Sequence, residues 1–125
     1  MNTSAYKVYE KILKYDTLVS KENIYKAYNI SKNAHSNQFR GSGEPYFTHP
    51  LAVANFLIDM KLDTSTIVTA LLHDVVEDSD VTLEDIKNEF GPEIAKLVDG
   101  VTKLSKLEMR FGFAQAENFR KLLLA

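Results

Sequence analysis

The sequence predicts an all-α domain of about six or seven helices, on three observations. Apolar residues recur at i, i+3 and i+4 along most of the chain, no stretch alternates like a strand, and cap or breaker signals separate the periodic runs. Residues 4–15 place Tyr6, Tyr9, Ile12 and Leu13 on one stripe, and residues 21–36 repeat it with Ile24, Ala27, Tyr28 and Ile30. From Gln38 to Thr48 the pattern gives way to a loop carrying Gly41, Gly43 and Pro45. Pro50 suits the first position of a helix, which leaves His49 at or beside its N-cap. That helix runs to about Met60, and Asp63 or Thr64 caps the next. Thr82-Leu83-Glu84-Asp85 is a capping box for a short helix to Phe90. Gly91-Pro92 ends it and starts another, running past Val98 toward Lys106, with a turn expected at Gly100. A last helix begins near Phe113. It reaches Leu122-Leu123-Leu124-Ala125 with no cap or polar tail, which reads as a helix whose continuation is missing.

Composition narrows the chemistry. With 125 residues, 45% of them hydrophobic and 26% charged, residues 1–125 form one globular domain able to bury a core. A formal charge of -2 argues against bulk binding to nucleic acid or to a membrane surface. The absence of cysteine excludes disulfides, thiolate zinc sites and thiol nucleophiles. Any metal must therefore sit on His and carboxylate, which suits Mn, Fe, Zn or Co. No leader-like or membrane-spanning apolar run is present, so the cytoplasm is the expected location.

The most informative stretch is His73-Asp74 with Glu77 and Asp78. At about 100° per residue, a continuous helix fans these four over one side while Val68, Leu71, Leu72, Val75 and Val76 face the core. His beside Asp is a ligand pair for a divalent ion, and two acids one turn on are placed to handle a water. The plainer alternative is the wet face of an amphipathic helix. Electrostatics argue against it: Leu62 to Ile86 contains seven acids and no Lys or Arg. Asp74, Glu77, Asp78 and Asp80 crowd the helix end where the macrodipole is already negative. A bound cation relieves that repulsion. Arg40, in a Gly-rich loop, suits a phosphate or is a solvated cation. His49 either completes a metal site with the next helix or caps its own.

Several ordered stretches resemble one family. They are Ala34-His35-Ser36-Asn37-Gln38-Phe39-Arg40, Ser42-Gly43-Glu44-Pro45-Tyr46 with Thr48-His49-Pro50, Leu71-Leu72-His73-Asp74-Val75-Val76-Glu77-Asp78, Phe90-Gly91-Pro92, Val98-Asp99-Gly100-Val101-Thr102-Lys103-Leu104 and Ala116-Glu117-Asn118-Phe119-Arg120-Lys121. Over roughly residues 22–125 the chain resembles the N-terminal hydrolase domain of the RelA/SpoT alarmone enzymes, a branch of the HD-domain metal phosphohydrolases. The resemblance implies an HD-like helical bundle and a Mn²⁺-dependent pyrophosphohydrolase that removes the 3′-diphosphate of (p)ppGpp. It implies His49, His73 and Asp74 as metal ligands, Glu77 and Asp78 as the groups that orient and deprotonate the attacking water, and Arg40 and Ser42 at the nucleotide. His35 reads as structural or helix-capping.

Two departures stand out. Gly41 occupies a position where the family often has Lys. The Asp-Arg-x-His-Asn-like segment that supplies the family's last metal ligand does not occur before the chain stops, so the chain reads as C-terminally incomplete and weak or inactive alone. The alternatives are a catalytically silent metal- or nucleotide-binding remnant, or a split half completed by another polypeptide. Phe119, Leu122, Leu123 and Leu124 form an apolar face from which self-association or complementation by the absent segment is expected.

Overall fold

The computed structural model describes residues 3–39 and 41–111, with side chains over 4–39 and 41–104. Arg40, the helix expected from near Phe113 and the apolar run Leu122-Leu123-Leu124 lie outside the described residues. Among the described residues seven helical segments follow one another: α1 Thr3–Leu13, α2 Lys21–Ala34, α3 Thr48–Asp59, α4 Thr64–Leu72, α5 Val75–Asp78, α6 Leu83–Phe90 and α7 Pro92–Phe111. Among the described residues there is no strand, only an isolated antiparallel bridge between Phe39 and Pro45. The all-α expectation holds. No helix among the described residues is long and apolar enough to cross a membrane.

Helix α4 is the centre of the molecule and packs on α2, α3 and α7. Every residue from Ile67 to Leu72 is buried, as a helix apolar on all sides requires. Full burial of a side chain such as Ile67, Leu71 or Leu72 contributes roughly 1.5–3 kcal/mol. Asp63 starts the helix by accepting the amide of Thr66 at 3.0 Å. Ala5, Val8 and Ile12 of α1 and Ile24, Ala27 and Tyr28 of α2 extend the core, while Ile86, Ile94 and Val98 cover its other side.

Three local expectations need correction. Helix α3 begins at Thr48, so His49 is its second residue rather than its cap. No side chain caps this end. Instead the amides of Thr48 and His49 donate to the carbonyls of Pro45 and Tyr46 at 3.1 and 3.0 Å, and these satisfy orphan donors of the first turn. Pro50 still lies in that turn, where its missing N–H costs nothing.

The second correction concerns the helix expected to run unbroken through 73–78. It stops at Leu72 and resumes at Val75. His73 Nδ1 lies 2.6 Å from the carbonyl of Ala70, the acceptor that a continuous helix offers to the amide of Asp74. The third is the turn at Gly100, which is absent because α7 passes straight through. A mid-helix glycine costs about 1 kcal/mol against alanine, but Ile94, Val98 and Thr102 are buried along the same helix and hold it. By contrast, the stop at Gly91 is as expected. Its φ of 96° is open to glycine at little cost, and its amide reaches the Lys87 carbonyl at 2.8 Å.

Candidate metal centre

The junction between α4 and α5 brings His73 and Asp74 against His49 from the first turn of α3. One nitrogen of each imidazole and one carboxylate oxygen of Asp74 lie within 4.8 Å of one another. Two ligands each about 2.1 Å from one ion stand at most about 4.2 Å apart, so a small side-chain adjustment suffices for these three to share an ion. The rings of His49 and His73 stand edge to face at 5.6 Å. All three residues are half-buried, and His73 and Asp74 keep only 15% and 14% of their side-chain surface exposed. The site is thus largely shielded from solvent yet not sealed.

The tautomer of His73 is set by its neighbours. A carbonyl only accepts, so Nδ1 donates its proton to Ala70. In the neutral ring this leaves Nε2 with a bare lone pair, 3.0 Å from Oδ2 of Asp74. Two acceptors at that distance need a proton or a cation between them. Without a metal a proton between them is favoured. Burial opposes the imidazolium, but the hydrogen bond and charge of Asp74 and the Ala70 carbonyl outweigh it, so the His73 pKa is raised. Burial likewise opposes the Asp74 carboxylate. The His73 hydrogen bond and charge, the Tyr46 hydroxyl and nearby His49 overcome it and lower the Asp74 pKa to about 2. This donor set, two neutral imidazoles and a carboxylate with one ring pre-oriented by a carbonyl, fits a divalent transition ion.

Glu77 and Asp78 lie on α5, one turn beyond Asp74, and both are exposed. Burial and the charge of Asp74 push the Asp78 pKa up, while His35 and His73 pull it the other way. Among the described residues, no Lys or Arg pairs with Asp74, Glu77, Asp78 or Asp80. The acids read from the sequence thus crowd one short stretch, with His73 and Tyr46 the partners of Asp74. Ser42 is exposed in the loop, where its hydroxyl accepts the amide of Glu44 at 3.5 Å. Gly43, with φ 90°, makes the bend that this loop turns on.

The structure also picks out residues to which sequence reasoning gave no role. The Tyr46 hydroxyl donates to Oδ2 of Asp74 at 2.6 Å. The Gln38 amide donates to the carbonyl of Asp78 at 2.7 Å. Their signal in the sequence is that both lie in the Gly-rich loop, within stretches that carry the family resemblance. His35 ends α2 as its C-cap and is 1% exposed, in keeping with a structural reading.

The HD domain family matches residues 27–125. The chain is 54% identical over 105 residues to a guanosine-3′,5′-bis(diphosphate) 3′-pyrophosphohydrolase of Vibrio cholerae, covering 83% of this chain and 15% of that protein. It is 50% identical over 121 residues to the GTP pyrophosphokinase rsh of Brucella ovis, covering 96% and 16%. Over 100 residues it is 54% identical to the bifunctional (p)ppGpp synthase/hydrolase SpoT of Escherichia coli, covering 79% and 14%. The chain thus spans about one-sixth of the length of these curated relatives. With two histidines and an aspartate gathered at one helix junction and this match over most of its length, the chain belongs to the HD-domain family, in the branch represented by the RelA/SpoT alarmone enzymes.

Proposed function

We propose that this chain is a Mn²⁺-dependent hydrolase module that removes the 3′-diphosphate of ppGpp or pppGpp, releasing pyrophosphate and GDP or GTP. The observation that carries the reading is the cluster of His49, His73 and Asp74 with the His73 tautomer already set. It gains weight from relatives named for this hydrolysis.

His49, His73 and Asp74 would hold the ion. A divalent ion bound there lowers the pKa of water and offsets phosphate charge. Asp78, whose pKa is pushed up, is suited to take a proton from the attacking water, and Glu77 beside it to orient that water. Arg40 supplies a planar fork for the diphosphate oxygens and Ser42 a hydroxyl donor. Three ligands are gathered among the described residues, and held by these alone an ion would be bound loosely and turnover would be weak.

Pyrophosphate release from ppGpp, followed with and without Mn²⁺, tests the reading. His73→Ala should weaken Mn²⁺ binding well beyond the 10–100-fold of an outer-layer change and abolish release. Turnover that ignores Mn²⁺, or that survives His73→Ala unchanged, would sink it. A second reading, a silent module that acts through another polypeptide, rests on the three-ligand set. Mn²⁺ binding at residues 49, 73 and 74 with no release under any condition would favour it.

A further inference from the structure

Helix α5 is a single turn, Val75–Asp78, too short to stand alone because nucleation costs more than one turn returns. Yet it carries Glu77 and Asp78, and Asp74 stands at its start. Besides the buried Val75 and the Ser79 hydroxyl on the Val75 carbonyl at 2.7 Å, this turn is gripped at both ends by the base of the loop 38–46. At one end the Tyr46 hydroxyl donates to Asp74 at 2.6 Å. At the other the Gln38 amide donates to the Asp78 carbonyl at 2.7 Å and to that of Ala34 at 3.3 Å. The two grips are joined, because the Tyr46 amide donates to the Gln38 carbonyl at 2.8 Å. His35 braces them from beneath. Its Nδ1 donates to Gln38 Oε1 at 2.9 Å, and its ring lies 4.7 Å from that of Tyr46.

We propose that Tyr46 is a positioning residue for the metal centre, its hydroxyl holding the Asp74 carboxylate in the orientation that ligation requires. The proposal rests on the metal reading of His49, His73 and Asp74. Oδ2 of Asp74 faces two partners, His73 Nε2 at 3.0 Å and the Tyr46 hydroxyl at 2.6 Å. With an ion bound, the Nε2 lone pair of His73 would serve that ion and would no longer hold the carboxylate. Tyr46 is the partner that remains. A short O–H to carboxylate bond is of the strong, charge-assisted kind, and it fixes direction as well as distance. Tyr46 need not touch the ion.

The test is Mn²⁺ affinity, by calorimetry on the full chain, for the parent, Tyr46→Phe and His73→Ala. The phenylalanine ring keeps the packing on His35 and His49 at 4.7 and 5.9 Å and removes only the hydroxyl. Tyr46→Phe should bind Mn²⁺ about 10–100-fold more weakly, and excess Mn²⁺ should restore whatever ppGpp turnover the parent shows. A purely structural lesion would not be rescued in this way. Binding by Tyr46→Phe within twofold of the parent, with His73→Ala strongly impaired, overturns the role of Tyr46 and leaves the metal site standing. Parent-like binding by both variants overturns the metal reading and the proposal with it. A second readout does not depend on the variant folding: in the unmodified chain labelled at tyrosine Cζ, saturation with diamagnetic Zn²⁺ should move the Tyr46 resonance. A resonance that stays in place overturns the proposal.

Discussion

Two groups of acids only a few residues apart are treated in opposite ways. Glu84 and Asp85 stand in the first turn of α6, where the exposed amides and the positive end of the helix dipole favour negative charge. Asp85 accepts the amide of Thr82 at 3.0 Å, and Thr82 accepts that of Asp85 at 3.1 Å, so the box is closed on both sides. Asp74 is the N-cap of the single-turn α5 and Glu77 and Asp78 lie within it, so three like charges crowd one turn and no described Lys or Arg answers them. The same residue type stabilises one helix and strains the other. The first group serves the fold. The second is crowded and partly open, which is what binding a cation and handling a proton demand.

Four changes would break or sharpen this contrast. The largest effect is expected at Glu77. Glu77→Gln keeps shape and removes the carboxylate that orients the attacking water, and should lower kcat for pyrophosphate release by about 10²–10⁴-fold while Mn²⁺ affinity stays near that of the parent. Equal turnover by variant and parent would remove Glu77 from the chemistry.

Next comes the pH dependence of the metal-free protein. The Asp74 pKa is lowered from 3.8 to about 2, so its contribution is full above 3.8 and fades as pH falls toward about 2. The His73 pKa is raised above 6.5, so its contribution is full below 6.5 and fades as pH rises through the raised value. The pair therefore stabilises most between pH 3.8 and 6.5. The acid limb is worth about 2 kcal/mol. Urea denaturation across this range, with Asp74→Asn as the reference, measures it. An acid limb unchanged by that substitution would assign the loss to other groups.

The last two predictions set the two acid groups directly against each other. Thr82→Ala opens the capping box and should cost about 1 kcal/mol in chemical denaturation. Asp78→Asn relieves like-charge crowding and should raise metal-free stability by roughly 0.2–0.5 kcal/mol, even as it impairs hydrolysis. A loss of stability in Asp78→Asn would mean that its carboxylate, like that of Asp85, serves the fold.

The helices were legible in the sequence because their causes are local. The 3.6-residue period of Ile24, Ala27 and Tyr28, the side-chain caps Asp63 and Thr82, and the Gly91-Pro92 break each act within a few residues. The boundary errors arose where the deciding group was not a standard cap. At α3 the first amides were satisfied by loop carbonyls, and at α4 a histidine side chain took a backbone acceptor. Gly100 misled because burial of Val98 and Thr102 outweighed its propensity.

The sequence by itself determined that this chain is helical, that it concentrates acids beside a His-Asp pair, and that a metal must be held by nitrogen and oxygen. Those follow from periodicity and from which side chains are present. Only the tertiary structure decided that His49, 24 positions before His73, meets it at 5.6 Å. It alone decided that the Ala70 carbonyl sets the His73 tautomer and that Tyr46 and Gln38 grip the two ends of α5. The physical reason is that ligation and hydrogen bonding depend on direction over a few ångströms. Those directions exist only once α2, α3 and α4 have packed, because the α4 core fixes where the loop between α2 and α3 closes.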